Sequence, residues 1–232
     1  MPETAVREIA VLDAGLVPYA EALAWQRRLA RARIDGTLAH DVLLLVEHPP
    51  VVTLGRAARQ AHLLDATGID VVEVERGGDV TYHGPGQLVG YPILDLTQHR
   101  PDVHWYLRAL EQALIEALAI LGIPAERRPG YTGVWTRGRK IASIGVHVKQ
   151  WVTWHGFALN VTTDLSEFDR IVPCGIEGVE MTSVAREAGD VGRGTCDVWR
   201  REQAVDAVVR GFEQAFGARA SAVLPDAPAP IP

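Results

Sequence analysis

Two hydrophobic periods alternate along this chain, and together they predict most of its elements. In DVHWYLRALEQALIEALAILG, Leu107, Leu110, Leu114, Leu118 and Leu121 recur at three- and four-residue intervals, the spacing that lines one face of an α-helix. Asp102 is the candidate N-cap and Gly122 the stop. YAEALAWQRRLARARI predicts an amphipathic cover helix that takes Pro18 into its first turn and stops near Gly36. Residues 198–216 predict a last helix.

Between these helices the apolar residues cluster or alternate as they do in strands. A short strand is expected near Ile9–Leu12, and DVLLLVEH and VVTLG form two more, broken by Pro49 and Pro50 with His48 at the break. Asp70–Glu75 and QLVGYPILDL continue the series. YTGVWT and KIASIGVHVK flank the turn-like RGR, and WVTWHGFALNVT follows, which predicts a meander of antiparallel strands. Runs of strands interrupted by three longer helices define an α+β class, one domain with a mixed, mostly antiparallel sheet and packed helices. The expected boundaries are a single catalytic domain over 1–218 and a disordered tail over 219–232, which ends in PDAPAPIP.

Composition narrows the function classes. At 232 residues, 47% hydrophobic and 22% charged, the chain reads as an ordinary globular protein. A net charge of −6 argues against a nucleic-acid binder with a broadly basic surface. The start lacks a basic segment followed by an apolar run, and no apolar stretch reaches the roughly 18 residues of a membrane span. A cytoplasmic protein with no membrane partner is expected. The two cysteines, Cys174 and Cys196, fit neither a disulfide framework nor a four-ligand zinc site.

The chemistry concentrates in a few places. Arg76–Leu96 packs Gly77, Gly78, Gly84, Gly86 and Gly90 with Pro85 and His83 between strand-like runs, more glycine than a turn needs. Such a segment suits a wall against which a ligand comes close, with Gly90 open to a packing role. Neither GxxxxGK[ST] nor GxGxxG occurs there, so no nucleotide motif is present. Cys174 lies in IVPCGIEG, a tight loop; it is either an inert thiol or a nucleophile, and the latter needs a cation or base beside it. Lys140, at the start of a strand just past a turn, is a candidate cation or a solvated turn lysine. His83, His147 and His155 lack the i, i+4 spacing of a helical zinc site, so no metal is invoked, and each is either a hydrogen-bonded structural residue or a base.

Four ordered motifs, EHPPVVTLG (47–55), RGGDVTYHGPGQLVGYPILDL (76–96), GVWTRGRKIASIGVHVKQWVTWHGFALNV (133–161) and PCGI (173–176), together resemble the lipoyl(octanoyl) transferases of lipoate biosynthesis. The resemblance implies a fold shared with lipoate- and biotin-protein ligases, and two successive acyl transfers without a cofactor. It implies that Cys174 carries the acyl thioester and that Lys140 lowers the thiol's pKa. The implied acyl-binding stretches are Arg76, Gly77, Gly78, Asp79, Val80, Thr81, Tyr82 and His83; Ser143, Ile144 and Gly145; and Gly156, Phe157 and Ala158. Asp79 stands where the family more often has glutamine or another polar residue, and Lys149-Gln150 is a variable spot. The implied donor is octanoyl-acyl carrier protein. The implied acceptors are lipoyl domains of 2-oxoacid dehydrogenase E2 subunits and the glycine cleavage H protein. Docking of acidic partners on an acidic chain calls for local cations, and Arg56/Arg59, Arg127/Arg128 and Arg137/Arg139 are the candidate clusters. Three other readings compete: an ATP-dependent lipoate or octanoate ligase of the same fold, a cysteine acyl hydrolase with His83 or His155 as base, and a non-catalytic binding protein.

Overall fold

The run DVLLLVE is apolar at nearly every position because the sheet it enters is covered on both faces. In the computed structural model, which describes residues 7–189 and 200–222, the chain begins with β1 (Arg7–Leu16), α1 (Tyr19–Ile34), β2 (Asp41–Glu47) and β3 (Val51–Leu54). It continues through β4 (Asp70–Glu73), β5 (Val80–His83), β6 (Gln87–Ile93), α2 (Val103–Ile120) and β7 (Val134–Thr136). β8 (Arg139–Lys149), β9 (Val152–Asn160), α3 (Val184–Gly189), α4 (Arg201–Phe216) and β10 (Ala218–Ala222) complete it. Seven strands form the main sheet in the order β10-β1-β2-β6-β9-β8-β7. The β10-β1-β2 edge is parallel and the remainder antiparallel.

Side-chain alternation along β2 divides the core. Leu43 and Leu45 point into a cluster with Leu110, Leu114 and Leu118 of α2 and Val208 and Phe212 of α4. Val42, Leu44 and Val46 face the opposite way, against Ala22, Leu29 and Ala30 of α1. Each fully buried leucine contributes roughly 1.5–3 kcal/mol of apolar burial, so the leucine stripe of α2 is a main adhesive of the domain. That helix is capped as expected: the Asp102 side chain accepts from Trp105 N–H at 3.0 Å, and Gly122 takes positive φ (77°) just beyond its end. Pro18 precedes α1 as its N-cap rather than entering the first turn.

A second, three-stranded sheet, β4-β3-β5, takes the first part of the glycine-rich segment as β5, while its later part, with Gly90, is β6 of the main sheet. A small core of Val52, Val80, Tyr82, Phe168 and Met181 fixes the three-stranded sheet in place. The expected tail boundary at 219 falls inside β10, whose residues Ala218–Ala222 pair in parallel with Arg7–Val11 of β1. The last helix starts at Arg201; residues 198–199, Cys196 and the PDAPAPIP segment lie outside the described residues. Among the described residues, no helix is long and apolar enough to cross a membrane.

Candidate active site

Cys174 and Lys140 are brought together by two backbone devices. Pro173–Gly175 forms a single tight turn in which Cys174 itself takes φ 56°, ψ 20°, a left-handed conformation that costs a non-glycine residue of order 1–2 kcal/mol. The strand start at Lys140 is stitched to the segment after that turn: Lys140 N–H donates to Glu180 O at 2.8 Å, and Thr182 N–H donates to Lys140 O at 2.9 Å. The outcome is a Lys140 Nζ donating to Cys174 Sγ at 3.0 Å. Ser143 Oγ stands 3.6 Å from the same sulfur.

Lys140 is 1% exposed, and among the described residues its ammonium has no carboxylate partner. The Trp135 ring lies under it, 5.2 Å from Nζ to the ring centre, so the cation rests on a π face and against the sulfur. Burial alone pushes the Cys174 thiol up; the adjacent Lys140 ammonium, with Ser143 and Arg76, more than offsets this and holds it below an ordinary thiol. Lys140 is thus buried beside the sulfur and is not a solvated turn lysine.

The sulfur sits at the edge of a cavity of about 310 Å³. Most of the expected acyl-binding residues line it: Arg76, Gly78, Asp79, Thr81 and His83 on one side, and Ser143, Ile144, Gly145, Gly156, Phe157 and Ala158 on the other. Val80 and Tyr82 do not, because β5 alternates; Thr81 and His83 face the cavity while Val80 and Tyr82 face the small core described above. Gly77 is absent from the lining too. Its N–H donates to Val146 O at 2.8 Å, and a Cβ on Gly145 would come within 2.9 Å of Gly77 O. These two glycines let the RGG segment lie directly on β8. Tyr19, Val89 and Tyr91 also line the cavity; they come from α1 and β6, and nothing in their local sequence marks them.

Neither candidate histidine base hydrogen-bonds to the sulfur. His83 Nδ1 meets Gln87 Oε1 at 2.8 Å and its Nε2 meets Thr53 Oγ1 at 3.4 Å. His155 sits at φ 55° on β9 with no hydrogen-bond partner for either ring nitrogen among the described residues. Burial holds both neutral, with pKa lowered to about 3 in each. His147 donates or accepts at Glu75 O, 3.0 Å away, and stacks near Trp154, which gives it a structural place. Among the described residues, no group of three or more His, Cys, Asp or Glu side chains could hold a metal ion.

Two of the three basic clusters are consumed structurally. Arg127 bonds the buried Glu111 at 3.0 Å, and Arg128 lies over the Tyr131 ring. Arg137 and Arg139 bond the buried Glu187. Arg56 and Arg59 are exposed and have no side-chain partner among the described residues.

The mixed sheet, its flanking helices and this cleft define a lipoyl protein ligase A/B catalytic domain, the family that matches residues 18–213. A lipoate-protein ligase A bound with ATP shares the fold, with a TM-score of 0.73 at 17% identity over 97% of this chain and 92% of that one. Within the family the similarity is much higher to proteins named octanoyltransferase. The one from Gloeobacter violaceus is 60% identical over 167 residues, 72% of this chain and 75% of that protein. The one from Nostoc sp. is 48% identical over 206 residues, 88% of this chain and 90% of that protein. The chain belongs to the octanoyltransferase family.

Proposed function

We propose that this protein moves an octanoyl group from an acyl carrier protein, through a thioester on Cys174, to a lysine of a lipoyl domain. The observation that carries the reading is the buried Lys140 ammonium 3.0 Å from a sulfur that opens on a cavity. In the first transfer the Cys174 thiolate attacks the donor thioester carbonyl. The carrier's thiolate departs and takes a proton from Lys140, leaving S-acyl Cys174 and a neutral Lys140 amine. One thioester replaces another, so the step is nearly balanced and calls for no nucleotide. In the second transfer a lysine amine attacks the acyl carbon, the more stable amide forms, and Cys174 leaves as thiolate while Lys140 is reprotonated.

The cavity supplies the chain-length preference. An octanoyl group has about six methylenes, and burying them at roughly 0.8 kcal/mol each contributes about 5 kcal/mol, enough to rank acyl chains. Carrier and acceptor are acidic macromolecules in this reading, and Arg56 and Arg59 are the cations left free to meet them. Charge reversal at both, Arg56→Glu with Arg59→Glu, is expected to raise the donor KM several-fold and to flatten its salt dependence. An unchanged KM in a salt titration removes that docking site.

Intact-mass analysis after mixing with octanoyl-acyl carrier protein tests the central claim. A gain of one octanoyl unit mapped to Cys174 is expected, and none with Cys174→Ser. A protein that acquires no adduct from this donor, yet lipoylates its target with ATP and free octanoate, is a ligase instead.

A further inference from the structure

Transfer to an ammonium releases two protons, and the Cys174–Lys140 pair absorbs one. The arriving lysine is protonated near neutral pH; on becoming an amide nitrogen it gives up two of its three hydrogens. Lys140, neutral in the acyl-enzyme, takes one back to restore the ion pair. The other needs an acceptor on the side from which the lysine arrives.

Cys174 borders a second opening, which shares Gly78, Asp79, Cys174 and Gly175 with the acyl cavity and adds a wall of its own. The mouth measures about 370 Å³, and that wall is formed by Ala57, Arg59, His62 and Glu177. His62 Nδ1 meets Asp79 Oδ2 at 2.7 Å. Asp79 is held by Val80 N–H at 2.7 Å and Arg59 N–H at 3.3 Å, so the carboxylate keeps the imidazole proton on Nδ1 and leaves Nε2 as an acceptor. Nε2 has no hydrogen-bond partner among the described residues, and the side chain is 15% exposed.

His62 is also fixed to the nucleophile's own loop. Its carbonyl accepts from Val172 N–H at 2.8 Å, and Leu63 bridges Ile171. Gly175, next to Cys174, lies so close that a Cβ there would stand 2.6 Å from Asp79 Oδ2 and 3.2 Å from His62 Cε1. The Asp79–His62 pair and the Cys174 turn are therefore packed as one unit.

We infer that His62, oriented by Asp79, is a further catalytic residue: it takes the first proton from the acceptor lysine at this mouth. The inference rests on the acyl-enzyme reading above. In the step, His62 Nε2 removes one proton from the ammonium, the amine attacks the thioester carbon, and the C–S bond to Cys174 breaks. The second nitrogen proton passes to Lys140, and the imidazolium later releases its proton to water through the mouth. Charge balances at +1 on both sides: an ammonium at the start, and two cations with one thiolate at the end. The groups facing His62 are Asp79 just before β5, Arg59 from its own loop, and Cys174 and Glu177 from the segment after β9; Lys140 contacts the sulfur at 3.0 Å.

The test separates the two half-reactions. Wild type and His62→Gln are loaded with octanoyl groups from octanoyl-acyl carrier protein, freed of donor, and mixed with a purified lipoyl domain while intact masses are followed. His62→Gln is expected to slow transfer about 10²-fold, the usual scale of a lost general base, while slowing loading less than threefold. The transfer rate of wild type is expected to rise as the imidazole loses its proton and that of the variant to lose this acidic limb, with added imidazole restoring part of the rate. Asp79→Asn, which disturbs the tautomer and keeps the ring, is expected to fall between the two. Transfer within threefold of wild type with the same acidic limb overturns the inference. So does loading that falls as far as transfer, because His62 would then only shape the loop. If wild type itself takes up no octanoyl group, the reading beneath fails first and this one with it.

Discussion

At the scale of single residues, the site turns on which protonation states Lys140 can adopt. The depressed Cys174 thiol traces first to an opposition between burial, which raises it, and the Lys140 cation, which lowers it. Lys140→Met removes the cation and leaves the burial, so the pH midpoint for alkylation of Cys174 by iodoacetamide should rise above that of wild type. Lys140→Arg keeps a cation that holds its proton throughout. Alkylation should then stay near wild type while octanoyl transfer falls about 10²-fold or more; unchanged transfer would rule out proton exchange at Lys140. Both residues stood out in the sequence, Cys174 by its Pro–Cys–Gly turn and Lys140 by its place at a strand start. Their contact did not, since they are 34 positions apart and their meeting depends on backbone bonds between Lys140 and residues 180 and 182. His62 gave no signal at all, because what distinguishes it is Asp79, 17 positions further along the chain.

At the scale of elements, the strands that wall the cleft explain both what the sequence revealed and what it hid. β9 and β6 approach so closely that a Cβ on Gly156 would collide with Gly90 O and Pro92 Cδ, and one on Gly90 would enter the Phe157 ring. Gly90, left open to a packing role by the sequence, serves packing, while Gly156 lines the cavity with its backbone pressed against β6. Gly156→Ala should destabilise the fold by about 1–3 kcal/mol, as overpacking of a tight core does, and a lower urea midpoint with an unchanged slope would show it. A midpoint equal to wild type would mean the two strands are free to part. The helices and the antiparallel meander were legible because their periods are strong and local. β10 was not: ARASA carries no β-branched or aromatic residue, and it is a strand only because the edge of β1 is there to pair with. The separate three-stranded sheet was hidden for a similar reason, since VVTLG reads the same whichever sheet it joins.

At the scale of the whole molecule, the wall that shapes the cleft makes the fold sensitive to acid. Tyr19, His48 and His83 form a ring cluster with centroids 5.1–5.8 Å apart, joined by Tyr91, whose hydroxyl meets His48 Nε2 at 2.6 Å. His48 and His155 are 0% and 1% exposed, and desolvation is the leading cause that lowers His48 to about 4 and His83 and His155 to about 3. In the unfolded chain each returns to an ordinary histidine near 6.5. Since the folded values are the lower ones, the unfolded state binds more protons between about pH 3 and pH 6.5. The stability these residues contribute is therefore complete above about 6.5 and is lost as pH falls through the folded values, about 4 for His48 and about 3 for the other two. Each can remove up to about 1.4 kcal/mol per pH unit in that window, a sizeable part of the 5–15 kcal/mol that holds a typical domain. Urea midpoints at pH 7.5 and pH 5.5 should differ by several tenths molar or more, with the lower value at pH 5.5. His48→Asn should lower stability at pH 7.5 while shrinking the difference between the two, because it deletes one proton-binding site from the unfolded chain. Midpoints that coincide at the two pH values would mean the histidines already carry protons in the folded state, and a cavity wall lined with imidazolium would be a poor seat for a hydrocarbon chain.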